Sequence, residues 1–127
     1  MARLALLDSV TETTAAHADA VVVTGSHGGV SVVRYARAAP ARLFVFNDAG
    51  IGKDRAGIAA LDALDADGIA AAAVAHDSAR IGDARDAWAH GRLSAVNAAA
   101  ARLGLRVGLP LREALAPLID STATPEA

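Results

Sequence analysis

Cysteine is absent from the 127 residues. That excludes disulfides, thiolate metal sites and a cysteine nucleophile. Aromatic side chains are nearly absent too: two Phe, one Trp and one Tyr. Basic charge is not in excess, since 12 Lys and Arg stand against 14 Asp and Glu for a net charge of -2. The chain therefore carries no electrostatic footprint for nucleic acid. No run approaches the roughly 20 apolar residues that a membrane span needs. The apolar stretch near the amino terminus, Leu4 to Leu7, is too short for a secretory leader. A cytoplasmic chain is expected, with neither nucleic acid nor a membrane as partner.

Alanine is what fills the space. The hydrophobic fraction is 54%, but 34 residues are Ala, and an alanine face favours helix and close packing while burying little area. The core is thin, which gives the chain a motive to form a homo-oligomer. The length suits one domain, expected over residues 1–120, and residues 121–127 read as a frayed, disordered tail.

Strand-like and helix-like patterns alternate. Strands are expected at residues 3–7, 21–24, 43–46 and 69–74, the β-branched run Val21-Val22-Val23-Thr24 being the clearest. Ser9 and Glu12 have the spacing of a capping box and open a helix to about Ala18. Val30 to Ala39 forms a second helix, stopped by Pro40. Asp54 caps a third, with Ile58, Leu61 and Leu64 on one face. Ala84 to His90 reads as a helical turn or two. Leu93, Val96, Ala100 and Leu103 mark a helix closed by Gly104, with Asn97 on it and Ser94 nearby. Pro110 begins a last helix. Continuous apolar strands separated by helices predict an α/β fold, a mostly parallel sheet of about four strands with helices on both faces.

Ligands of such sheets bind outside the carboxyl ends of the strands. Three loops there hold nearly all the unusual polar residues. In Gly25-Ser26-His27-Gly28-Gly29, the glycines let backbone lie against a ligand, and the amides opening the next helix suit an anion. The bland alternative is a tight turn with Ser26 as cap and His27 exposed. The second loop, Asn47 to Asp54, holds Asp48 and the single lysine, Lys53, against eleven arginines. An ammonium there acts as base, Schiff-base amine or anion clamp, or is an ordinary surface lysine. In the third loop, His76 is suited to proton transfer and Arg80 to a carboxylate or phosphate, with Ser78 beside them. Arg80 could equally pair with Asp83 or Asp86. A His27/Asp48/His76 metal site is conceivable but lacks any short ligand spacing, so no metal or cofactor is expected.

Gly25-Ser26-His27-Gly28 followed by the strand Leu43-Phe44-Val45-Phe46 resembles the strand order of caspase-type peptidases. The cysteine of that family is missing here, Ala49 standing about where it would be, so the activity is rejected. A longer likeness runs from about Leu43 to Leu118. Asn47-Asp48 with Gly50, Gly68-Ile69, and Leu103-Gly104-Leu105-Arg106-Val107-Gly108 followed by Arg112-Glu113-Ala114-Leu115 are similar to the YunC-like small bacterial proteins of unknown function. That resemblance implies a small α/β domain and transfers no site residues.

The residues lead to one expectation: a domain binding a small anionic metabolite at its strand ends, as a hydrolase- or lyase-type enzyme. His27, Asp48, Lys53 and His76 are the catalytic candidates. Gly25, Ser26, Gly28, Gly29, Asn47, Ser78 and Arg80 are the binding candidates. The alternative is a non-catalytic oligomeric subunit or regulatory ligand-binding module.

Overall fold

Among the described residues, five strands pair in chain order into one sheet: β1 (Arg3–Leu7), β2 (Ala20–His27), β3 (Leu43–Asn47), β4 (Ala71–Val74) and β5 (Leu93–Val96). The computed structural model describes residues 1–120 and 125–126. The first four strands are parallel and β5 runs antiparallel to β4. β1 to β4 read as unbroken apolar runs because both faces are covered. Val21, Val22 and Val23 are fully buried although successive side chains point to opposite faces.

The helices are α1 (Val33–Ala38), α2 (Ala59–Ala66), α3 (Ala84–His90), α4 (Ala98–Arg102) and α5 (Leu111–Leu115). Their distribution decides where a site can form. Connections of one hand between strands in sequential order fall on one face. Val10, Val32, Val33, Ile58, Leu61 and Leu64, from the first three connections, pack with Phe44 and Phe46 on that face. The opposite face is covered by helices that follow β4: Ala87, Trp88, Ala100, Leu111 and Leu115 pack on Val21, Val23, Leu43 and Val45. β4 itself is Ala71-Ala72-Ala73-Val74, wholly buried, and its small side chains let α2 and α4 both approach it. Among the described residues, no helix is long and apolar enough to cross a membrane.

Several local expectations are corrected. The sheet has five strands rather than about four. The region expected as one helix over residues 93–103 is β5 followed by α4, with Asn97 as the helix cap, its side chain accepting from the Ala100 amide. The reason is a β-bulge. Val74 pairs with Leu93 while Ala73 pairs with Ala95, so Ser94 is an extra residue. A bulge returns Leu93 and Val96 to one face, and both pack in the cluster that holds Ala100 and Leu103. An i, i+3 spacing was thus produced by a strand.

The Ser9 capping box is present, but it opens a 3-10 turn at Val10–Glu12, and a second turn follows at Ala15–His17. Asp54 does not cap α2: it sits at φ 56°, within a 3-10 segment at Lys53–Ile58. β2 runs on through Gly25, Ser26 and His27, which were expected in a loop, with a register shift between Val23 and His27. Of the expected tail, residues 121–124 and 127 lie outside the described residues. Glu126 is described and pairs with β1.

Candidate functional site

β3 leaves the sheet toward α2 on one face, and β4 leaves toward α3 on the other. Adjacent strands whose connections part in this way open a crevice at their carboxyl ends. Asp48 stands there, one residue past β3 and 3% exposed. Its amide donates to Val74 O at 2.8 Å, pinning the two strand ends together. Its carboxylate is an acceptor for three donors. Oδ1 takes the Gly50 and His76 amides at 2.8 and 2.9 Å, and Oδ2 takes the Ser94 hydroxyl at 2.7 Å. Three donors offset much of the desolvation that burying a carboxylate requires.

Ser94 is the bulged residue of β5, and the bulge is what aims its hydroxyl at Asp48. Sequence reasoning missed this role because it placed Ser94 on a helix. The spacing Leu93 to Val96 fits either structure, so no local signal separated the two.

The His76 ring is next to the same carboxylate. Its Nδ1 stands 3.5 Å from Asp48 Oδ1, and 59% of its side chain is exposed. A Cβ added to Gly50 would lie 3.8 Å from Nδ1, so the ring stands against the loop that follows β3. One edge of the imidazole faces a buried carboxylate and the remainder faces solvent.

That loop is strained. Ala49, Gly50, Ile51, Gly52, Asp54 and Arg55 all have φ between 51° and 80°. Four of them carry a Cβ, which costs about 1–2 kcal/mol per residue in this region, and Ile51 is β-branched. Short bonds hold the loop: Ile51 N to Asp48 O and Gly57 N to Ile51 O, both 2.7 Å. Gly57 must be glycine, since a Cβ would sit 2.0 Å from Asp48 O. Backbone strain of this kind persists where the surroundings over-determine it, often beside functional groups. Lys53 stands exposed within this segment, and no ion pair engages it among the described residues.

The other candidates fall into place around this centre. His27 pairs in register with Asn47. Its Nδ1 accepts from the Gly29 amide at 2.9 Å, so the neutral ring carries its proton on Nε2. A Cβ on Gly29 would lie 2.7 Å from the His27 ring and 3.3 Å from Ala56 O. His27 therefore borders the strained segment near Ala56, while His76 borders it at Gly50.

Gly28 bonds through its amide to Asn47 O and through its carbonyl to Ala60 N. Gly25 serves a close chain crossing, because a Cβ there would meet Asp83 N at 2.3 Å. Ser26 accepts from Val10 N at 2.9 Å. Asn47 donates to Ala79 O and accepts from Ala49 N. Ser78 donates to Ala75 O and accepts from Arg92 N. The Arg80 guanidinium is 3.7 Å from Asp83, and its amide donates to Asp86 at 2.7 Å. Asp48 and His76 are brought together; Arg80 is drawn away toward α3.

Among the described residues, no three His, Cys, Asp or Glu side chains form a group able to hold a metal. The His27/Asp48/His76 combination is therefore not assembled. A cleft of about 270 Å³ lies elsewhere, between β1, α3 and α5, with Leu4, Trp88, Arg112 and Ile119 in its walls. Comparison with family models, with curated proteins and with solved structures finds no match for this chain.

Proposed function

We propose that the chain binds a small anionic metabolite in the crevice between the ends of β3 and β4 and acts on it by proton transfer, as a hydrolase- or lyase-type enzyme. The observation that carries this reading is the buried Asp48 carboxylate behind the half-exposed His76 imidazole, Nδ1 to Oδ1 3.5 Å. At this distance the pair is in ion-pair contact without a hydrogen bond, and a contact of this kind shortens to orient the ring when a general acid–base histidine engages its substrate. His76 takes or delivers the proton from its exposed edge. Lys53 is a point charge for the anion, on the loop that begins at Asp48. His27 adds an Nε2–H donor at the far side of the strained segment.

A thermal-shift screen against small carboxylates and phosphates tests this, with wild type, His76→Gln, Lys53→Ala and His27→Ala compared. A compound that raises the wild-type Tm and leaves His76→Gln unmoved supports the site. Equal shifts in all four proteins remove these residues from it. The stabilising compound is then followed by NMR for turnover.

The second reading is a non-catalytic ligand-binding or oligomeric module. It is favoured by the commitment of Ser26, Asn47, Ser78 and Arg80 to bonds within the fold. Binding at His76 with no turnover of any stabilising compound would select it.

A further inference from the structure

Four groups converge on the Asp48 carboxylate. A carboxylate offers about four lone-pair sites, two on each oxygen. On Oδ1 both are taken, by the Gly50 and His76 amides. The His76 ring faces that same oxygen from 3.5 Å, and no hydrogen bond joins them. Oδ2 accepts from the Ser94 hydroxyl at 2.7 Å. The three donors come from separate segments: Gly50 from the strained loop after β3, His76 from the loop after β4, and Ser94 from the bulge of β5. The ring is the one group of the four that is not bonded to the carboxylate, and 59% of its side chain is exposed. Ser94 itself has a choice. A serine hydroxyl carries one proton, and besides Oδ2 it stands 3.4 Å from Ala73 O. The nearer, charged oxygen takes that proton.

We propose that Ser94 is a positioning residue for His76: its hydroxyl competes with the imidazole for the Asp48 carboxylate and so sets how tightly the ring is held. Each donor draws charge from the carboxylate and weakens its pull on the next. With the hydroxyl in place, the oxygen nearest the ring is filled by two amides and the other oxygen by Ser94. The imidazole then rests in loose contact, free to meet a substrate at its exposed edge. When the ring gains a proton from a substrate, its charge strengthens its claim on the carboxylate. The hydroxyl can then turn to Ala73 O by rotation about its own bond, with no movement of the backbone. The positioning role rests on the proposed proton transfer at His76, whereas the competition for Asp48 needs no substrate.

Nitrogen-15 NMR of the histidine rings tests the inference on the full chain, at a pH where the His76 ring is neutral. The His76 signals are assigned by their loss in His76→Gln. Ser94→Ala deprives Oδ2 of its donor and leaves more of the carboxylate charge to the ring. The ratio of the Nδ1–H to the Nε2–H tautomer at His76 should rise about twofold or more, the low end of what one hydrogen bond contributes. Ser94→Thr keeps a hydroxyl and should match wild type. An unchanged ratio in Ser94→Ala overturns the inference. So does a fall, which would make the hydroxyl a support of the contact rather than its rival. A Ser94→Thr ratio as high as that of Ser94→Ala overturns it as well. Should Ser94→Ala not melt cooperatively, Ser94→Cys decides, because a thiol fills the same place and donates weakly. Its ratio must rise too, and a wild-type ratio overturns the proposal. A raised ratio with no ligand that depends on His76 supports the competition and counts against the proposed function.

Discussion

Asn97, at the amino-terminal end of the parallel strands, and Asp48, at their carboxyl end, are 5% and 3% exposed. Each ties loop backbone to the sheet through a short side chain. Asn97 uses its whole capacity: Oδ1 accepts from Ala71 N and Ala100 N, and Nδ2 donates to Leu61 O and Ile69 O. All four partners are backbone groups, so nothing is left over for a ligand. Asp48 accepts from two amides and a hydroxyl, and then meets a titratable ring that reaches solvent. The loop beside Asp48 is strained, while the one beside Asn97 has a positive φ only at Gly68. The two ends share a mechanical device. Only the carboxyl end sets it beside an exposed imidazole, the feature on which the proposed function rests.

The contrast is tested most severely by exchanging the two functional groups. Asn97→Asp sets a carboxylate oxygen against the Leu61 and Ile69 carbonyls and buries a charge without a partner. It is expected to cost about 3–5 kcal/mol, read from the urea midpoint. Asp48→Asn keeps an acceptor for the Gly50 and His76 amides, and the Ser94 hydroxyl can turn to accept from the new amide. It should cost about 1 kcal/mol, yet abolish any ligand-induced thermal shift that depends on His76. If Asp48→Asn proves the more destabilising of the two, Asp48 is a structural hook like Asn97 and the contrast collapses.

A smaller effect, of opposite sign, is expected in the strained loop. Ala49 is exposed at φ 51°, and Ala49→Gly removes the left-handed penalty against a modest gain in unfolded-state entropy. A net stabilisation of about 0.5–1 kcal/mol should appear as a higher Tm. The smallest effect belongs to the surface of the same edge. The Arg80 backbone amide, and then His90, hold the Asp86 carboxyl below its ordinary value of 3.8. A depressed folded-state value means that the contribution is present above the ordinary value and lost as pH falls through the depressed one. The wild-type advantage over Asp86→Asn in urea midpoint should therefore be steady near neutrality and shrink below pH 3.8.

Much of this architecture was legible in the chain. The runs Arg3–Leu7 and Leu43–Asn47 are apolar on both sides because both faces are covered, and the strand-end loops hold Asp48, Lys53 and His76 as read. The segment of Gly25 and Ser26 was legible as unusual, but the contacts it makes within the fold were not. Its glycine answers to Gly82 and Asp83, and its hydroxyl to Val10, groups at least 16 residues away in the chain. The pairing of Glu126 with β1 was equally invisible, since an edge bond from Glu126 to Leu4 leaves no pattern in either segment.

By itself the sequence determined the α/β class, the presence of β1 to β4 and the residues that stand beyond the ends of β3 and β4. Those follow from hydrophobic period and turn chemistry, which act between neighbours in the chain. Only the tertiary structure decided that Leu93 to Val96 is a strand, that Ser94 reaches Asp48, and that His76 rather than Arg80 shares the crevice. A bulge exists only relative to the register of its partner strand, and a crevice only where two connections part to opposite faces. Both are relations between distant segments, and periodicity along one segment does not contain them.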